Sequence, residues 1–142
     1  MRSVYRALSG LILIGFVVQI AAIAAAWFQV LNDVDDGGVF DNNTRNWAHI
    51  VHAVVGAEVI PLLALALLVV SFFARIPGGV KWAALTFGAV VLQVVLAFAG
   101  YSVPGVGALH GLNALVVAGL ASVAMRKARE ADAKPAPPVA VA

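Results

Sequence analysis

The chain has 142 residues, of which 63% are hydrophobic and only 11% are charged, and it contains no cysteine. This composition argues against an ordinary soluble domain, in which about 25% of residues are charged, and favours an integral membrane protein with the lipid bilayer as partner. The lack of cysteine excludes disulfides, thiolate metal sites, covalently attached haem and cysteine nucleophiles. The net charge of +2 gives no reason to expect nucleic acid as a partner.

The first predicted helix covers about 4–30, with Arg2 and Arg6 at its start. Its apolar stretch is too long for a cleaved signal peptide, whose apolar region spans roughly 7–15 residues, so we expect a retained helix. The loop 31–46 that follows is rich in Asp, Asn and Gly and offers several side chains that can cap the next helix.

The later helices are predicted at about 47–74, 80–100 and 103–125. Each apolar run is long enough to cross a hydrocarbon core of about 30 Å. Pro104 is expected in a first helical turn, where its missing N–H does no harm. Because the connections are short, the fold class we expect is all-α: an antiparallel four-helix transmembrane bundle over residues 1–126. Residues 127–142, which become Pro/Ala-rich, are expected to form a flexible cytoplasmic tail.

Basic residues predict the orientation, because Lys and Arg in short loops stay preferentially on the cytoplasmic side. Of the nine basic residues, only Arg45 falls in a loop on the other side. We therefore expect both termini in the cytoplasm and a multi-pass protein of the cell membrane.

Two histidines occupy matching positions in this pattern. His52 and His110 each lie about six residues inside the outer end of parallel helices, roughly 9 Å below the boundary. Two neutral imidazoles at one level can bind a haem iron from opposite faces, with apolar side chains around the macrocycle. His52 and His110 are thus the candidate metal ligands and haem b the candidate cofactor. The alternative is that the two histidines make unrelated polar contacts inside the bundle. A zinc or copper site is disfavoured because no further protein ligands are evident.

Small residues surround both histidines at helical spacing. Gly56 lies one turn after His52, and Gly107 and Ala114 flank His110. They would let a porphyrin approach the backbone, although small residues also serve simply to pack membrane helices closely.

Four polar residues complete the candidate set. Gln93, near the histidine level, is expected to bond an imidazole or another helix. Arg45 is the basic residue available to haem propionates on the outer side, and His49 either supports the ligand site or is an interfacial side chain. Glu58 lies about 120° round the helix from His52, so it does not share the ligand face. It is either a neutral hydrogen-bonded group near a Pro61 kink or a proton-carrying carboxylate.

Three segments resemble one four-helix half of haem A synthase: Trp47-Ala48-His49-Ile50-Val51-His52, Leu92-Gln93-Val94-Val95-Leu96 and Ala108-Leu109-His110. In that family the second and fourth helices of each half carry a histidine pair for haem. The resemblance therefore implies a haem site at His52 and His110. The chain also resembles small four-helix membrane proteins of actinobacteria, which implies a bacterial source.

The chain departs from haem A synthases in three respects. His49 stands where the catalytic half of that family has a glutamate, the cysteine pair common in the first outer loop is absent, and only one half is present. A homodimer would be needed to imitate the complete architecture. We therefore carry over the cofactor site and not the catalysis.

The function expected from the sequence is bis-histidine binding of b-type haem, with electron transfer or haem handling near the outer membrane face. The alternative is a non-redox accessory subunit or small carrier whose histidines only hydrogen-bond between helices. The sequence does not identify the redox partner, for which a quinone is one candidate.

Overall fold

The computed structural model describes residues 1–41, 44 and 46–133. All regular secondary structure in these residues is helical, as the composition predicts. Each of the four long helices is long and apolar enough to cross a membrane. They are α1 (Arg2–Asp35), α2 (Trp47–Ala74), α3 (Gly79–Ser102) and α4 (Pro104–Ala133).

The four helices form a bundle in which consecutive helices are neighbours. α1 packs against α2 and α4, and α3 packs against the same two helices. α2 and α4 therefore lie diagonally across the bundle and run in the same direction. We call the end where α1 begins and α4 ends the inner end, and the opposite end the outer end.

Two helices run further than the sequence pattern suggests. α1 continues to Asp35, and α4 continues to Ala133, so the first residues of the predicted flexible tail are helical. Ala128 is buried against the bundle, Lys127 pairs with Glu130 at 2.7 Å, and an Arg6–Asp132 ion pair of 3.1 Å joins α4 to α1. Residues 134–142, the rest of that tail, lie outside the described residues.

One turn of α2 is a π-helix, Val55–Val59. The N–H of Ile60 donates to the carbonyl of Val55, five residues earlier. The next residue, Pro61, has no N–H, and its ring would clash with the carbonyl four residues before it in a regular α-helix. The wider turn relieves that clash and lies where the sequence predicts a kink at Pro61.

Packing is tight from the middle of the bundle to the inner end, whereas towards the outer end the buried apolar residues Ala22, Ala26 and Ala48 lie on α1 and α2. At the inner end the Tyr5 hydroxyl donates to the carbonyl of Gly79 at 2.9 Å. From 91 to 112, along the outer parts of α3 and α4, no residue is buried. The inner and outer parts of α3 and α4 thus differ in how firmly their side chains are packed. The buried apolar cluster consists of Tyr5, Ile12, Ile60, Ala64, Leu67, Ala74, Ile76, Ala83, Val90, Val117, Ala121, Ala124, Ala128 and Ala131.

Asn46 closes the outer end of α1 and α2. Its side-chain oxygen accepts from the N–H groups of Ala48 and His49, at 3.0 and 3.2 Å. Asn46 is thus the residue that caps α2, among the several that the sequence offers. Its side-chain nitrogen donates to the carbonyl of Ala26 at 3.0 Å. One buried side chain therefore both starts α2 and fastens it to α1.

We predict that Asn46→Ala lowers the free energy of unfolding by about 1–3 kcal/mol, since the cap is lost and the Ala26 carbonyl loses its donor. Asn46→Asp keeps a capping oxygen and loses only the donor, so its stability should lie between the two. Thermal unfolding in mild detergent, followed by circular dichroism, measures the difference. An Asn46→Ala variant as stable as the parent chain would contradict this role.

Candidate functional site

The rings of His52 and His110 face each other between α2 and α4. Their centroids are 6.2 Å apart and the ring planes are inclined at 58°. Both residues are half-buried. The sequence places them at a common depth, and the structure brings them together across the diagonal of the bundle.

Each ring is held by a main-chain carbonyl of a neighbouring helix. Nδ1 of His52 lies 3.2 Å from the carbonyl oxygen of Gln19 in α1. Nδ1 of His110 lies 3.0 Å from the carbonyl oxygen of Gln93 in α3. A carbonyl oxygen can only accept, so in each neutral ring the Nδ1 atom carries the proton and donates it.

The tautomer fixed in this way leaves Nε2 as the unprotonated nitrogen of both rings. Neither Nε2 atom has a hydrogen-bond partner among the described residues. A ligating histidine ordinarily donates its other ring N–H to a carbonyl or carboxylate, which sets the ring orientation and raises the basicity of the ligating nitrogen. The pair therefore presents two oriented, unprotonated nitrogens of the kind that bind metals.

The hairpin of α1 and α2 and the hairpin of α3 and α4 repeat one arrangement. In the hairpin of α1 and α2, the main chain of Gln19 holds His52, and in the hairpin of α3 and α4, the main chain of Gln93 holds His110. Each pair consists of a glutamine on the first helix and a histidine on the second. The imidazoles meet because two similar hairpins pack face to face.

The Gln93 side chain fastens α3 to α4 at the histidine level. Its Nε2 donates to the carbonyl of His110 at 2.9 Å, and its Oε1 accepts from Nδ2 of Asn113 at 2.8 Å. Asn113 also donates to the carbonyl of Ala89 at 2.9 Å. Of the two roles considered for the side chain, the bond to another helix is the one observed, while the imidazole bonds its main chain.

The Gln19 side chain has a different environment. Its Nε2 atom is buried and has no hydrogen-bond partner. Its Oε1 atom would lie 2.9 Å from a Cβ added at Gly56. The space beside Gly56, which the sequence assigns to a porphyrin, is thus filled by the Gln19 amide, and that amide offers a donor to any group entering the site.

The small residues around His110 have open surroundings. A Cβ added at Gly107 or Gly111 would meet no atom within 4 Å, and Ala114 is half-buried. One at Gly100 would lie 3.4 Å from the Gly107 backbone, so α3 and α4 approach closely there. Gly107 therefore has a packing role and also borders free space on its other side.

The other polar candidates make no hydrogen bond to the histidine pair or cannot be described. The ring of His49 packs edge-on against Phe40 of the outer loop, with centroids 5.8 Å apart, so its observed contact is with the loop. Arg45, the residue expected to pair with propionates, lies outside the described residues. Glu58 is exposed on the bundle surface and makes no hydrogen bond with a described residue, so the hydrogen-bonded group considered for it from the sequence is not observed.

Among the residues that the structure describes, the two imidazoles are the histidine, cysteine or carboxylate groups available to a metal at this point. Over the ranges described, no group of three or more His, Cys, Asp or Glu side chains is arranged to hold a metal ion. A zinc site needs three or four protein ligands, so the pair alone does not make one.

Comparison with known proteins adds nothing to this geometry: no family model, no curated protein and no solved structure matches the chain. The resemblance to haem A synthase accordingly stays a prediction from short motifs.

Sequence reasoning gave too little weight to Gln19 and Asn113. Both are polar residues inside apolar runs, and Gln19 stands in α1 as Gln93 stands in α3. The recurrence of one glutamine on the first helix of each hairpin, with one histidine on the second, was the available signal.

We predict that Gln93→Ala and Asn113→Ala are energetically coupled, because each leaves a polar group of the other without its partner. Each single change should cost about 1–3 kcal/mol, and the double-mutant cycle should give a coupling of about 0.5–3 kcal/mol. Denaturant unfolding in detergent supplies the four free energies.

Asn113→Ala combined with Asn46→Ala is the matched control pair. These residues share no hydrogen-bond partner, so their effects should add. Strict additivity for Gln93 and Asn113 as well would show that the network does not act as a unit.

Proposed function

We propose that the chain is a multi-pass membrane protein that binds one b-type haem between His52 and His110 and transfers electrons near the outer face of the membrane. The observation that carries the proposal is the pair of facing imidazoles, each oriented by a carbonyl bond to Nδ1.

Placement in a membrane rests on what the helices expose. Every helix presents large apolar side chains on the bundle surface, for example Val17, Phe72, Phe98 and Leu115. All seven basic residues within the described ranges lie at the inner end, which supports a cytoplasmic inner end by the preference of Lys and Arg for that side. Trp47 and Tyr101, exposed at the outer ends of α2 and α3, suit the opposite interface.

The spacing of the rings suits a single iron between them. A bond of about 2 Å from iron to each nitrogen, plus about 1 Å from each nitrogen to its ring centre, places two axial imidazoles about 6 Å apart. The observed centroid separation is 6.2 Å. Because a porphyrin supplies the other four ligands, two histidines are sufficient, which is not so for zinc.

The surroundings fit a largely apolar, flat group. The outer parts of α3 and α4 have no buried residue, and the open faces of Gly107 and Gly111 border this region. The unpartnered amide nitrogen of Gln19 would gain an acceptor from a bound group with polar edges. A large apolar group bound at the histidine level would cover these exposed residues.

Bis-histidine ligation favours electron transfer over ligand activation, because both axial positions of the iron are occupied. The bound haem would supply a one-electron couple. The protein's part is to hold both Nε2 atoms in place through Gln19 and Gln93. Haem A synthesis is not proposed, since His49 stands at the glutamate position of that family and packs against Phe40.

The second candidate is a non-redox accessory subunit or small carrier. It is favoured by the observation that each imidazole already joins two helices through its Nδ1 bond. In that case the histidines would stabilise the bundle without a cofactor.

Absorption spectroscopy separates the two. We predict that protein purified in mild detergent from haem-replete cells carries one haem b per chain and shows a Soret band. His52→Ala and His110→Ala should abolish the band, because each removes an axial ligand. His49→Ala, the same change one helical turn away, should keep it.

Circular dichroism checks that the helices survive in each variant. A colourless parent protein would contradict haem binding and support the accessory role. Full haem content in both His52→Ala and His110→Ala would contradict the assignment of the ligands.

A further inference from the structure

Glu58 is a carboxyl group on the outside of the apolar part of the bundle. It lies eleven residues into α2, about 17 Å from the outer end of that helix, and is exposed. It makes no hydrogen bond or ion pair with any residue in 1–41, 44 or 46–133. A carboxyl group at this depth in a membrane is costly without a polar partner, which points to a ligand.

The carboxyl lines a groove between α2 and α3. The groove has a volume of about 530 Å³, within the range of about 300–1,000 Å³ typical of small-molecule sites. Apart from Glu58, its walls are apolar side chains, among them Pro61, Leu65, Phe87, Val91 and Val95. An occupant must therefore be largely apolar, with one polar group that meets the carboxyl.

The backbone of α2 at this point is irregular. Glu58 belongs to the π-turn Val55–Val59, and Pro61, which follows it, lines the same groove. Single π-turns inside α-helices are frequent at functional sites. Here the widened turn carries the one ionisable group of the groove.

The groove also reaches the level of the histidine pair. Val94 and Val95 line it and directly follow Gln93, the residue whose carbonyl holds His110. Glu58 itself lies six residues after His52 on the same helix, about 9 Å of rise. The carboxyl is thus near the proposed haem without facing it.

We propose that this groove binds a lipid-soluble quinone, with Glu58 as the partner of its ring oxygens and the exchanger of its protons. The proposal rests on the proposed haem function for the redox step, and on the groove alone for binding. A quinone carbonyl accepts from a protonated carboxyl, and a quinol hydroxyl donates to a carboxylate, so the couple matches both states of Glu58. A lipid ammonium matches only the carboxylate, and an acyl chain matches neither.

The redox step balances with the species named. One quinol loses two electrons and two protons and becomes the quinone. A haem held by His52 and His110 would accept one electron per chain, so the oxidation of one quinol would use two chains. The Glu58 carboxylate of each of these chains would accept one of the two hydroxyl protons.

Photolabelling tests binding without reference to haem. An azido-substituted short-chain ubiquinone, irradiated with the protein in detergent, should label peptides covering 57–65 and 87–95, and unlabelled quinone should compete. Val91→Trp, which fills the groove and leaves Glu58 intact, should reduce labelling by about tenfold. Leu115→Trp on α4, also exposed to the surroundings but outside the groove, should not.

Reduction kinetics test the proton transfer. Glu58→Gln keeps a hydrogen-bond donor for the ring oxygen but cannot accept a proton. It should keep the photolabel and slow the reduction of ferric haem by quinol on the order of 100-fold. Glu58→Ala should lose both the photolabel and the reduction of haem by quinol.

The outcomes for the two proposals are distinct. Groove labelling in a protein without a Soret band would retain the binding site and refute the haem function. A Soret band together with labelling spread over all exposed helix faces, or unaffected by Val91→Trp, would overturn the quinone site. Unchanged reduction kinetics in Glu58→Gln would overturn the role of the carboxyl.

Discussion

The hydrogen bonds from the two imidazole Nδ1 atoms to main-chain carbonyls determine what the centre of this bundle can do. They fix the tautomer of His52 and His110, orient both rings and leave both Nε2 atoms unprotonated. The acceptors are carbonyls of the adjacent helices, so ring geometry follows from how α1 packs on α2 and α3 on α4. A main-chain acceptor also cannot be removed by a side-chain substitution, which makes the orientation robust to changes at Gln19 and Gln93.

The inner and outer parts of the bundle differ in the contacts that hold the helices together. The inner part is packed with small and apolar side chains and holds the four helices together. The outer part combines buried alanines on α1 and α2 with polar contacts: Asn46 between α1 and α2, and the Gln93–Asn113 pair between α3 and α4. This arrangement gives a firmly packed base and leaves the histidine level of α3 and α4 without buried residues.

Much of the fold follows from the sequence because hydrophobic run length and short connections leave few alternatives for a chain of this composition. The four helices and the meeting of the two histidines are of this kind. The missed features depend on atoms that a residue pattern does not fix. The π-turn before Pro61 depends on how α2 relieves a backbone clash. The filling of the space beside Gly56 depends on the rotamer of Gln19. The extension of α4 to Ala133 depends on its contacts with α1. The hydrogen bonds from both rings to main-chain carbonyls could not be predicted either. Every residue has a carbonyl, and the sequence does not indicate which one accepts.

The central claim is that both Nε2 atoms point to one shared metal. Pulsed electron paramagnetic resonance of the oxidised protein, with histidine labelled by ¹⁵N at the ring nitrogens, tests it most directly. The account predicts a low-spin ferric signal with coupling to two similar histidine nitrogens, and a distinct weaker coupling from the remote Nδ1–H of each ring. A signal coupled to one histidine nitrogen or to none, in protein that contains haem, would contradict it.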